Sequence, residues 1–125
     1  SAEIARGLDI LELTPTENLT QNEIDAAKAI RVAELNVQNQ ERFVWPRKLV
    51  VAKAYIDQLE RSGGLTSEQV ASLRNAIGKA ESSPSEMKKL KGLASSLAKN
   101  AGQARNPADT ARLTVLAEIL RRPEA

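Results

Sequence analysis

The sequence predicts an all-α protein: an antiparallel up-and-down helical bundle of four to five main helices, led by a short N-terminal helix or turn. Three observations point there. The hydrophobic share of 42% with only 2% aromatics is carried mostly by Ala and Leu, the side chains that lose least on entering a helix. Apolar positions recur at steps of three, four or seven, and no stretch alternates with period two, so no strands are assigned. Four or five independent helix-start signals punctuate the chain, each followed by such a stripe.

Taken in order, residues 1–19 form a segment packed on the bundle or leading into it. Ile4, Leu8 and Leu11 have helical spacing but are interrupted by Gly7, and Thr14-Pro15-Thr16-Glu17 leaves room only for a turn. Thr20-Gln21-Asn22-Glu23 is a capping box, in which the Thr oxygen accepts a free backbone N–H while the Glu reaches back. The stripe Ala26, Ile30, Ala33, Val37, Val44 then predicts a helix over 20–44. Trp45-Pro46 must break or kink it, because Pro46 lacks an N–H and drives Trp45 away from helical angles. A straight helix from Gln21 to Arg61 would run roughly 60 Å, too long for a domain of this size.

The second helix is expected over 46–62 with Leu49, Ala52, Ile56 and Leu59 inward, ended by Ser62-Gly63-Gly64. The third, 66–82, has Thr66 and Gln69 as a capping pair, with Leu65 and Val70 as a hydrophobic staple. The fourth, 84–101, starts on Ser83-Pro84, and the fifth, 107–122, on Asn106-Pro107; Pro at the first helical position costs no hydrogen bond. Loops of about two to six residues make successive helices antiparallel neighbours.

At 125 residues the chain fits one domain, with the bundle over 20–125 and no internal repeat. The opening Ser1-Ala2-Glu3-Ile4 resembles neither an initiator nor a signal peptide, so the sequence reads as part of a larger, bacterial polypeptide. There is no His and no Cys, which removes the commonest general base, the thiolate nucleophile and the usual zinc ligands. No Asp-rich calcium loop, phosphate-binding glycine loop or nucleophile elbow occurs. Neither a catalytic residue, nor a metal site, nor a cofactor is expected. No apolar run reaches the roughly 20 residues that span a bilayer. Asn18-Leu19-Thr20 matches a glycosylation sequon, a frequent chance pattern.

Charge is uneven. Residues 1–41 carry eight acids against three bases, and residues 42–125 carry fifteen bases against eight acids. An acidic N-terminal segment packed on a basic remainder accounts for this most simply. Two basic constellations are candidate binding sites. Arg42, Phe43, Trp45, Arg47 and Lys48 interleave bases with rings, and no acid occurs from Arg42 through Ile56; such a mixture can stack on and neutralise nucleic acid or another anion. The simpler reading makes the rings core anchors at the Pro46 joint. Lys88 and Lys91 share a side of the fourth helix, where a solvated face is the simpler reading.

The leading functional expectation is a non-catalytic accessory or protein-interaction domain, its partner another protein or neighbouring domains of the same polypeptide. The rival is an anion or nucleic-acid binding module built on these two constellations. A third reading is an enzyme fragment contributing only carboxylates.

Overall fold

Helix formation follows the capping chemistry closely, and the observed architecture is an all-α bundle. The structure is a computed structural model that describes residues 2–3, 7–8, 11–32, 38–39 and 42–124. Five helices follow in order: α1 (Gln21–Lys28), α2 (Leu49–Ser62), α3 (Ser67–Ser82), α4 (Pro84–Ala101) and α5 (Pro107–Arg121). Packing runs α2 on α3, α3 on α4, α4 on α5, and α5 back on α2, which closes a four-helix ring. Helix α1 touches α2 and no other helix.

Side-chain caps mark the starts of α1, α3 and α5. Thr20 and Glu23 complete a reciprocal capping box on α1, and Thr66 and Gln69 complete one on α3. Leu65 and Val70, the expected staple, are both buried. Asn106 Oδ1 accepts the Ala108 N–H at 2.9 Å, just before Pro107 opens α5. Ser83 alone joins α3 to α4 as the last cap of one and the first of the other, with Pro84 in the first turn. Helix α2 ends in a Schellman turn: Gly63 takes φ 74°, its N–H reaches the Glu60 carbonyl, and the Gly64 N–H reaches the Leu59 carbonyl at 2.8 Å. The left-handed angle at Gly63 is one that a Cβ would oppose.

The stripe expected of α2, Leu49, Ala52, Ile56 and Leu59, is buried, whereas on α5 Ala108 and Ala111 are exposed and the buried face runs through Leu113, Leu116 and Leu120. Ala52, Ile56 and Leu59 of α2, Val70, Leu73 and Ile77 of α3, Leu90, Ala94 and Leu97 of α4, and Leu113, Leu116, Ile119 and Leu120 of α5 form one buried cluster. No ring is fully buried, so many small aliphatic contacts close the interior, as the composition requires.

Three local expectations are corrected. The first helix does not run over 20–44. It ends at Lys28, and its last N–H groups, from Ala29 and Ile30, reach back three residues in a tightened turn. A short helix persists only while its apolar face has a partner, and α1 has only α2 to lie on. The β-branched Ile30 and Val32 then weaken further propagation, and Val32 is exposed; Ala33 and Val37 lie outside the described residues.

The second helix starts at Leu49 rather than Pro46. Trp45 is not helical, as expected before proline, and the Arg47 carbonyl is already taken by the Glu124 N–H at 2.7 Å. Residues 42–48 thus form a non-helical arm leading into α2.

Finally, the assignment of no strands misses one minimal pairing, Ala2–Glu3 antiparallel to Gly7–Leu8. Of the helix or turn expected before residue 20, the turn is present: Thr16 and Leu19 exchange backbone hydrogen bonds across Glu17-Asn18.

Candidate functional site

The arm at 42–48 is where the surface departs most from the sequence reading. Phe43, Val44 and Trp45 are 46%, 91% and 40% exposed, so Phe43 and Trp45 are not the core anchors that the simpler reading made them. The reason is the helix break: with neither α1 nor α2 extending through them, no apolar stripe carries these rings inward. Arg42, Arg47 and Lys48 are also exposed. Arg47 Nη2 pairs with Glu124 Oε1 at 3.1 Å, and with the backbone bond from Glu124 this pins the arm to the chain that follows α5.

Trp45 also turns toward the bundle. Together with Glu23 and Ala26 of α1 and Val51, Ala54, Tyr55 and Gln58 of α2, it lines a cleft of about 140 Å³. Burial pushes the Tyr55 phenol above its ordinary pKa, and the positive charge of Arg112 offsets only part of this. The same cleft holds Glu23 at its polar end. Burial would push its carboxyl up, but the Thr20 N–H, the side chains of Arg61 and Gln58, and the Arg61 charge together hold it below the usual carboxylate range.

Two titrations check this cleft. Tyr55 is the only tyrosine, so phenolate absorbance reads it alone. Its midpoint should lie above about 10, its ordinary value, and Trp45→Ala, by admitting water, should bring it back down. Because the folded value is raised, the associated stability is present below about pH 10 and lost as pH rises through the folded midpoint. Glu23 has the opposite sign: its contribution is present above the unfolded carboxylate value and lost as pH falls through the lower folded one. The thermal-midpoint gap between wild type and Glu23→Gln should therefore be larger at pH 7 than at pH 3. A gap that widens in acid would contradict the assignment.

A second polar cluster was not singled out from the sequence. Asp57 on α2 is 5% exposed. Its Oδ2 accepts from Thr20 Oγ1 at 2.7 Å and Asn22 Nδ2 at 2.8 Å, and its Oδ1 accepts from Arg74 Nη2 at 2.7 Å. Arg74 also reaches Glu60 at 2.6 Å. The Asp57 bond raises the Arg74 pKa, burial works against it, and Glu60 adds to the rise. Asp109 is similarly buried and binds Ser62 and Arg112. The signal available in the sequence was an acid set between Ile56 and Leu59 on an apolar stripe. Both aspartates tie helices together: Asp57 joins α1, α2 and α3, and Asp109 joins α5 to α2.

Lys88 and Lys91 are exposed on α4, whose backbone does not approach that of α2, the helix that the arm precedes. The fold therefore places the seven candidate binding residues on two separate elements. Among the described residues no group of three or more carboxylates could hold a metal ion, and no helix is long and apolar enough to cross a membrane. Most carboxylates of the bundle face a cation instead: Glu23 meets Arg61, Asp57 and Glu60 meet Arg74, and Glu81 meets Lys53.

No protein-family model matches the chain, and no curated protein or solved structure shows a detectable similarity to it.

Proposed function

We propose that the chain is a non-catalytic helical accessory domain that works by contact, and that the arm at 42–48 is the surface it offers. One observation carries this reading: three consecutive large apolar side chains, Phe43, Val44 and Trp45, stand exposed beside Arg42, Arg47 and Lys48. Isolated exposed apolar residues are ordinary, but a contiguous group rimmed by polar ones marks a contact site. The engagement of the bundle's carboxylates in ion pairs supports the non-catalytic part, since a general base must be free to take a proton. A photo-crosslinking residue at Val44 of the full native protein should give an adduct, to a protein or to lipid, whereas one at exposed Ala98 on α4 should give none. Equal labelling at both positions would overturn the reading.

The alternative, an anion or nucleic-acid binding module, has its own supporting observation. Arg42, Lys48, Lys88 and Lys91 are exposed and form no ion pair among the described residues. If it holds, affinity for an oligonucleotide falls by about one log unit per log unit of salt for each phosphate neutralised. Absence of binding at low salt would remove it.

A further inference from the structure

We propose that the Phe43–Val44–Trp45 tip docks on an anionic lipid surface, with the surrounding arginines and lysine as an electrostatic collar. This rests on the reading of the arm as the contact surface and names its partner.

Size and shape select the partner. Val44 is 91% exposed and stands outside any helix, so the tip is a protrusion rather than a groove. The three side chains together offer on the order of 300 Å², against about 800 Å² for each partner in a stable protein interface. A protein would need a pocket shaped to so small a knob, or further surface around it. A bilayer needs neither, because its headgroups and chains close around whatever is inserted. Trp settles at the depth of the headgroups, and Phe is a common apolar anchor of segments that lie in the interface. Trp45 is only partly free: the rest of it lines the cleft between α1 and α2, so a folded helix pair fixes how far the ring projects. Pro46 stiffens the arm directly behind it.

Charge makes the second half of the case. Among the described residues, Arg42 and Lys48 flank the tip without an acid partner. The Glu124 N–H on the Arg47 carbonyl brings the end of the chain beside the arm, which puts the exposed Arg121 and Arg122 two or three residues from it. Glu124 is paired with Arg47, and Glu118 lies one turn back on α5. Such a basic collar attracts an anionic leaflet and releases it as salt rises. Leu11 and Leu13 are more exposed than Phe43 and Trp45, but Glu12 lies between them, so the same leaflet would repel that segment.

The single Trp of the chain makes the test direct. The intact protein is mixed at low salt with vesicles of phosphatidylcholine alone, with vesicles that also contain phosphatidylglycerol, and with a single-stranded oligonucleotide. The anionic vesicles should shift Trp45 emission to the blue, protect it from acrylamide and sediment the protein, and high salt should reverse all three. Val44→Asp, which leaves the thermal midpoint unchanged because Val44 has no packing to lose, should weaken sedimentation about tenfold or more, the worth of one buried apolar side chain. Leu11→Ser with Leu13→Ser should change nothing. Equal binding to neutral vesicles, an unshifted Trp45, indifference to Val44→Asp, or a Trp45 response to the oligonucleotide alone would each overturn the lipid assignment. If vesicles fail while the Val44 crosslink yields a protein adduct, the contact reading stands and only the lipid falls; if both fail, both fall.

Discussion

Asp57→Ala should destabilise the protein by about 2 to 3 kcal/mol and lower its thermal midpoint by about 10 °C. The carboxylate gathers three side-chain donors from two elements besides its own: Thr20 and Asn22 at the start of α1, and Arg74 on α3. Removing one partner of a buried ion pair can cost about 3 to 5 kcal/mol when the other is left without water. Here Arg74 is 46% exposed and keeps Glu60, so the smaller figure applies. The loss should not be uniform. Since α1 packs on α2 alone, its amides should exchange faster in the variant while those of α4 keep their relative protection. Arg74→Met should remove part of the same energy, and the double variant should fall short of the sum, because the two residues share one interaction. Additive effects would show that the pair is not coupled.

Gly64→Ala should cost about 2 to 3 kcal/mol, more than Gly63→Ala at about 1 kcal/mol. Backbone angles alone suggest the opposite order, since Gly63 is the one with the left-handed φ of 74°. Space reverses it. A Cβ on Gly63 meets nothing within 4 Å, whereas one on Gly64 would lie 2.8 Å from Leu59 Cδ2 and 3.0 Å from Asp109 Cγ. Neither neighbour can yield easily. Leu59 is fully buried, and Ser62 and Arg112 hold Asp109 in place. Thermal or urea unfolding of the two variants ranks them directly, and equal losses would mean that the close approach at Gly64 relaxes.

Much of the fold was legible because helix ends are written in local chemistry. Thr66 with Gln69, Thr20 with Glu23, and Asn106 with Pro107 each form within a few residues, so they need no tertiary knowledge to recognise. Periodicity is weaker evidence. It says which face a helix would bury, but not whether anything lies opposite, and the stripe through Val37 and Val44 continued past the point where α1 has a partner. The candidate site suffered from the same gap. Phe43 and Trp45 were counted inward because a chain with three rings usually buries them, and the Arg47 carbonyl bond from Glu124, 77 residues away, is invisible to any local pattern. Asp57 was missed for a related reason: its partners lie 35 and 37 residues upstream in Asn22 and Thr20, and Arg74 follows on another helix.

Four of the five helix–helix seams join elements that follow one another along the chain; only the seam between α2 and α5 reaches across. A molecule assembled this way can zip up from local hairpins, each closing a short loop at small entropic cost. Folding should then be fast, in the microsecond to millisecond range typical of low contact order. The last event should then be the return of α5 to α2, which forms the side-chain bonds Ser62–Asp109 and Gln58–Arg112. Substitutions along that line should act chiefly on the rate at which the finished molecule reopens, and hardly at all on the rate at which it first closes.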